Sequence, residues 1–467
     1  MTPEQEKQLL ESIYDRLFDA ITYTPTTGAA SKNPFTAEET FIHFMKNGAI
    51  NPEDFDDART PSNPQGSRRS TAQFSLLVDK VSPMSLEWEN SGAKLSEHYA
   101  NVLEGANSTA ETDPKAEKMY DKAFDFLNVL VKDPFDEDAE PEPDLSPAYQ
   151  KYKANLRKYT DATMAYTAAY NSYLEVLDSG DEKAIKDAER QWQVNSMMLS
   201  NAISGAQDDL VAGNGKHVER ALEILRTTTN SGIRKALTRA QDALKKSKQI
   251  DNADLGDYYT TYAVPSNWAE GGPNFTELKI SGSDTKKRSS YSSNSFSVGG
   301  GVNYGLWKVK ASAEGKFEKE NSSTDKNSVE ITANIAKVDI IRPWFSESIF
   351  RLGNWSNNIS PDKGSISNGK IDSSNAGGYI PMYPVAFIVA KDIRIKADWS
   401  HEDKEIISRA VSGKASVSYG PFATGTASYD HKSGSSAFNA DFQNGEIKIP
   451  GMQIIGWVSR LTPSSPK

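Results

Sequence analysis

Histidine is the scarcest chemical group in this chain. There are five: His43, His98, His217, His401 and His431. No two stand at metal-ligand spacing. His401-Glu402-Asp403-Lys404-Glu405 lacks the second histidine that would make it the HExxH helix of a zinc protease. Carboxylates are plentiful, 63 against 53 basic residues. Two of them at the right separation perform glycoside hydrolysis. Here no pair is set apart by its surroundings, and a solvated surface accounts for them. The acidic runs Asp133–Asp144 and Asp251–Asp257 lack the ligand spacing and glycine of an EF-hand loop. Gly299-Gly300-Gly301 has no following helix or lysine, so it is no phosphate loop. Neither a nucleophile elbow nor a Walker motif occurs. Cysteine is absent, which removes disulfides, thiolate catalysis and iron–sulfur clusters. The expectation is a protein that is not an enzyme and uses no cofactor or metal.

Two other residue patterns carry possible function. Trp307, Trp344, Trp355, Trp399 and Trp457 lie in the C-terminal half. Trp307, Trp344 and Trp399 are candidate ligand-facing aromatics, since indole faces stack on sugar rings. The competing reading places them in the core. The second pattern is strand alternation. Phe296, Val298, Gly300, Val302 and Tyr304 share one parity, against Ser297, Gly299, Gly301 and Asn303. Val411, Gly413, Ala415, Val417 and Tyr419 oppose Ser412, Lys414, Ser416 and Ser418 in the same way. Strands with one apolar face and one small polar face line β-pores. They also serve as half-buried strands of a sandwich. Phe296, Val298, Val302, Tyr304, Val411, Val417 and Tyr419 are therefore candidate membrane-inserting residues.

These two stretches look like copies. Val302-Asn-Tyr304-Gly305-Leu-Trp307 matches Val417-Ser-Tyr419-Gly420-Pro-Phe422. Polar tips follow, Glu320–Lys326 and His431–Ser436. The return strands reach Ile340-Ile341 and Ile454-Ile455. The near-constant offset predicts a duplicated strand–bend–strand unit with bends at Gly305 and Gly420.

The elements that would position these residues are also legible. Thr2-Pro3-Glu4-Gln5 is a capping box, and Leu9, Leu10, Ile13, Leu17 and Ile21 follow at helical spacing, which predicts a helix over 3–22. Thr36-Ala-Glu-Glu39 predicts a short helix closed by Gly48. Further helices are expected around 71–81, 86–103 and 114–131. Alternating proline and acid over 133–145 predicts an exposed linker. Next, Tyr152, Tyr159, Tyr166 and Tyr173 recur once per heptad, with Tyr149, Leu156, Thr163, Tyr170 and Leu177 offset by three. That seam, and the short Gly-containing connections at 179–181 and 213–215, predict three antiparallel helices over 146–178, 182–212 and 216–249. At about 1.5 Å per residue such a rod is about 50 Å long. Beyond 274 the helical period gives way to strands, including 294–304, 307–318, 328–341, 385–398 and 406–419.

The expected fold is α+β. A helical N-terminal domain (1–132) and an acidic linker (133–145) precede the long antiparallel three-helix rod (146–250). A connector (251–274) leads to an antiparallel β domain with an internal repeat (275–467). Net charge is -10, which argues against nucleic acid as a partner. No basic leader precedes the first helix, and no run approaches the roughly 18 apolar residues of a spanning helix. The chain is expected to be made soluble in the cytoplasm and released, if at all, by a non-classical route. The functional expectation is a membrane-active protein of the pore-forming toxin kind. It would self-associate into a homo-oligomer and insert amphipathic β hairpins into a lipid membrane. The alternatives are a structural or assembly protein, or a carbohydrate-binding module on a helical stalk that meets a glycan or receptor.

Overall fold

The computed structural model describes the chain except residues 24–34, 47, 62, 89–90, 109–113, 133–141, 179–180, 228–232, 251–254, 273–274, 284–289, 301–303, 312–321, 360–361, 413–414, 425–439 and 467. It opens with α1 (Pro3–Thr22), β1 (Thr40–Phe44), α2 (Arg68–Val78), α3 (Leu95–Glu104), β2 (Ala106–Ser108), α4 (Pro114–Leu127), β3 (Asn128–Val131) and β4 (Glu142–Leu145). Four helices follow: α5 (Pro147–Asp178), α6 (Glu182–Ala212), α7 (Gly215–Thr227) and α8 (Ile233–Ser247). Then come β5 (Lys248–Gln249), β6 (Tyr258–Tyr259), β7 (Tyr262–Val264), β8 (Thr276–Ser281), α9 (Ser290–Val298), β9 (Trp307–Ala311) and β10 (Glu330–Ile341). The last elements are β11 (Trp355–Asn357), β12 (Met382–Lys396), α10 (His401–Val411), β13 (Ala415–Tyr419), β14 (Phe422–Ala423), β15 (Asp441–Gln443), β16 (Glu446–Ile449) and β17 (Gln453–Leu461). Helices and an antiparallel sheet make this an α+β chain.

The main sheet is built on β12, flanked by β10 and β17, all antiparallel. β1 extends it beyond β17, and β7 and β8 extend it beyond β10. β16 and β15 add to the far end of β12. Alternation along β10 decides which face each residue serves. Ile331, Ala333 and Ile335 join the core beneath α1, whereas Ala336, Val338 and Ile340 join the core beneath α2. Phe74, Leu77 and Val78 of α2 meet Phe387, Trp457 and Trp268 there.

α1 has the predicted capping box, with Thr2 and Gln5 each bonding the other's backbone. Leu9, Leu10, Ile13, Tyr14, Leu17, Phe18 and Ile21 are fully buried against the sheet. The Tyr14 hydroxyl accepts a hydrogen bond from Ile42 N of β1 at 3.1 Å. The N-terminal part is thus joined to the β half by both α1 and β1. Within the expected helical N-terminal domain, 1–132, the strand β1 belongs to the main sheet. The expected helix after Thr36 is corrected. Its capping box makes only a turn, and Thr40–Phe44, aromatic and β-branched, pairs with β17 instead.

The rod differs from its expectation in the third helix. α5 and α6 lie against each other, and α5 also packs on α1 and β8. Within 216–249 the described residues form α7 and α8, and residues 228–232 between them lie outside the described residues. α7 packs with α4, α5 and α6, while α8 turns away to α3. Ile233, Ala236, Leu237 and Ala240 of α8 share a core there with Tyr99, Val102 and Leu103.

Two expected strands, 294–304 and 406–419, begin as helices. Residues 290–298 form α9, because a helix brings Ser292 and Phe296 together onto α1. Ser292 Oγ donates to Asp15, and Phe296 meets Tyr14 with ring centroids 5.6 Å apart. At the end of α9 a Cβ on Gly299 would stand 2.7 Å from Phe41 and 2.9 Å from Leu86 N, so only glycine fits. Residues 401–411 form α10, capped by Ser400, whose Oγ accepts from Asp403 N at 3.1 Å. Ile406, Ile407 and Ala410 face the core from α10. The leading strand of the first expected repeat copy is therefore a helix as far as Val298, while that of the second is helix as far as Val411 and strand β13 from Ala415. Nor are the Ile-Ile pairs equivalent. Ile340-Ile341 ends β10, beyond the Asp339–Ala386 pair, and Ile454-Ile455 begins β17, beside Val389.

Candidate functional site: a pinned amphipathic sheet and its clasp

The two stretches expected to form separate hairpins pair with each other. β9 and β13 are antiparallel, with Trp307 opposite Tyr419, Lys308 opposite Ser418, Val309 opposite Val417, Lys310 opposite Ser416 and Ala311 opposite Ala415. Apolar residues are matched with apolar ones and polar with polar at every pair. β14 pairs with β13 across a bend at Gly420, whose φ of +56 is a left-handed conformation that favours glycine. Trp307, Val417, Tyr419 and Phe422 are fully buried and belong to the core under α1. On the polar face, Lys308 forms an ion pair with Glu87.

The candidate membrane-inserting residues are thus mostly interior. Phe296, Val417 and Tyr419 are fully buried, and Tyr304 is buried against Phe44 with Lys46 Nζ 3.7 Å from its ring centroid. Val298 is 36% exposed at the end of α9. Val411 ends α10 and packs against the core. Val302 lies outside the described residues. The candidate ligand-facing tryptophans are also interior. Trp307 and Trp344 are fully buried and Trp399 nearly so. Trp344 Nε1 donates to Thr261 Oγ1 at 3.1 Å and Trp399 Nε1 to the Gly445 carbonyl at 2.8 Å. None of the three offers a face to a sugar while the core is closed, and this corrects their ligand-facing assignment.

The first expected polar tip, Glu320–Lys326, is corrected where it is described. Ser322, Thr324 and Lys326 are buried. Asp403 of α10, fully buried, accepts at Oδ2 from Ser322 Oγ at 2.9 Å, Ser323 N at 3.0 Å and Thr324 Oγ1 at 2.5 Å. Ser323 Oγ donates to Glu402 at 2.8 Å. On the other side Ser322 N donates to Glu6 of α1, and the N-terminal ammonium of Met1 donates to the Thr324 carbonyl at 2.9 Å. Lys326 Nζ donates to Gln8 Oε1 at 3.0 Å. Burial raises the Glu6 carboxyl above its ordinary range, against the lowering pull of backbone donors at Ser322 and Leu306 and of the N-terminal charge. Residues 322–326 thus clasp α1 to α10. The Ser-Ser-Thr-Asp run, expected as a polar tip, is polar in either setting, and only the partners on α1 and α10 distinguish the two.

The heptad tyrosines form a third feature. Tyr152 and Tyr159 share a buried cluster with Ile203, Ala206 and Leu210 of α6 and Val218 of α7. Toward the far end Trp192 stacks on Tyr173 at 5.2 Å and meets Tyr170 and Tyr166 at 5.2 and 5.6 Å.

Among the described residues no group of three His, Asp or Glu could hold a metal ion. His43, fully buried, has its ring nitrogen held low, at a pKa of about 4, because burial disfavours the imidazolium. A cavity beside Trp268 and Phe74 has a volume of about 10 Å³, room for about one water. Among the described residues no helix is long and apolar enough to cross a membrane. Comparison with protein-family models, curated proteins and solved structures finds no match to this chain.

Proposed function

We propose that this is a non-enzymatic membrane-active protein of the pore-forming kind, in which the β9–β13 sheet leaves the core and inserts into a lipid bilayer as part of a homo-oligomer. The observation that supports this most is the register of β9 on β13, in which each pair joins residues of like polarity and apolar and polar pairs alternate along the strands. In sequence the alternation continues past β9, with Ala313, Gly315 and Phe317 against Ser312, Glu314, Lys316 and Glu318. From Trp307 to Glu318 it reaches the roughly 9–11 residues of a membrane-spanning strand. Closure with neighbouring copies is required, because an open strand edge in lipid leaves backbone groups unsatisfied. The clasp at Ser322–Thr324 must open for the segment to move. Release of a trapped dye from liposomes by the full chain, with electron microscopy of the treated membrane, tests the reading. Rings and leakage are the expected result. Intact vesicles over a range of lipid compositions would remove the pore.

A structural or assembly role is the second reading. It is favoured by the α5–α6 hairpin, whose tyrosine seam packs on Ile203, Ala206, Leu210 and Trp192 of α6.

A further inference from the structure

α6 is an outer helix. It packs on α5 and α7, and its opposite face carries Val194, Met197 and Met198, exposed by 59, 63 and 66%. From Gln191 to Gln207 the chain has no charged residue, although a quarter of the whole sequence is charged. The facing part of α5, Ala162 to Leu174, is charge-free as well. Tyr170 on α5 is 40% exposed, and Trp192 and Tyr173 are half-buried beside it. The charge-free band is bounded on both sides. Toward the hairpin end, Glu175, Asp178, Asp181, Glu182, Asp187 and Glu189 outnumber Lys183, Lys186 and Arg190, and toward the base stand Asp208 and Asp209.

We propose that this band of the α5–α6 hairpin is the surface by which the protein first docks on a zwitterionic lipid bilayer, with α6 lying in the headgroup plane. The proposal rests on the membrane-active reading and specifies the contact that precedes insertion. Size favours lipid over a second copy of the chain. The α6 part of the band, Gln191 to Gln207, is about 25 Å long at about 1.5 Å per residue and about 10 Å wide, or about 250 Å², and about twice that with α5. A standard protein interface buries about 800 Å² per partner, so this face is too small to hold a stable dimer. An interfacial helix needs only to sink its apolar side about 5–10 Å into the headgroup region, and tyrosine and tryptophan suit that depth. Composition favours neutral lipid. The band lacks the lysines and arginines that draw helices to anionic membranes, and the acidic excess at the hairpin end is repelled by them.

The chain has no cysteine, so a single one reports cleanly. Met197→Cys and, as a control on another surface, Ile359→Cys are each labelled with NBD in the full chain and mixed with phosphatidylcholine vesicles. The expected result is a blue shift and quenching by lipid-borne nitroxide at 197, with neither at 359. Met197→Ser together with Met198→Ser should lower vesicle partition at least tenfold while the thermal midpoint stays within a few degrees. Three results overturn the proposal. The 197 dye stays in water while vesicles bind or leak. The double variant partitions like the parent. Or the blue shift arises without vesicles and grows with protein concentration, which would mean that a second copy covers the face. Docking at 197 without dye release upholds the proposal and removes the pore reading alone, so the two fail separately.

Discussion

Trp307 and Tyr419 are cross-strand partners whose rings meet edge to face, with centroids 4.6 Å apart. Trp399 closes the group at 6.0 Å from Trp307 and 5.6 Å from Tyr419. This triad holds the amphipathic sheet to the core beneath α1. Truncation by Tyr419→Ala should cost about 3–5 kcal/mol, the range for removing a large buried ring. The same change should shorten the lag before dye release, since it loosens what insertion must detach. Urea unfolding measures the first and vesicle kinetics the second. An unchanged unfolding midpoint would mean that the triad does not anchor the sheet.

Asp403 is the acceptor at the centre of the clasp. Asp403→Ala leaves the Ser322 and Thr324 hydroxyls and the Ser323 amide without their buried acceptor, a loss of about 3 kcal/mol or more. Asp403→Asn keeps one acceptor oxygen and should lose less. Thermal melting of the two variants checks the order. An unchanged midpoint in both variants would show that the carboxylate is not what holds the clasp.

His43 makes stability depend on acid. Its Nδ1 lies 2.7 Å from the Ser85 carbonyl, and burial lowers its pKa from 6.5 to about 4. The unfolded chain therefore takes up this proton first. The stability is fully present above pH 6.5 and is lost as pH falls toward 4, about 3 kcal/mol in all at about 1.36 kcal/mol per pH unit. Burial raises the carboxyls of Glu6, Asp79 and Asp161, and these act in the opposite direction on acidification. The difference between the parent and His43→Leu isolates the imidazole. That difference should change between pH 7 and 4, and a constant gap contradicts the assignment.

Tyr159 is 2% exposed between α5 and α6. Tyr159→Asp places a charge in that seam and should cost a few kcal/mol. A melting midpoint equal to that of the parent would place the seam in solvent.

Periodicity was most legible where local and tertiary demands agree. The α1 stripe, with its capping box, and the α5 tyrosines facing α6 follow from spacing alone. It misled where a partner distant in sequence decides. Thr36–Glu39 carries a good helix-start pattern, yet β17 offers Thr40–Phe44 a strand partner. Phe296 opens a strand-like alternation, yet Asp15 and Tyr14 of α1 select the helix that presents it together with Ser292. The β9 and β13 stretches were visible as amphipathic, but their pairing with each other was not, because register between remote strands leaves no mark within either one. The clasp was invisible for the same reason.

The most direct test of the central claim is a pair of single-cysteine variants on β9, Val309→Cys and Lys310→Cys, each carrying an environment-sensitive dye and mixed with leaking vesicles. Insertion of the β9–β13 sheet predicts that, on leaking vesicles, the dye at 309 is reached by a lipid-borne quencher and the dye at 310 by an aqueous one. Dyes that report the same surroundings before and after vesicles are added, at both positions, contradict it.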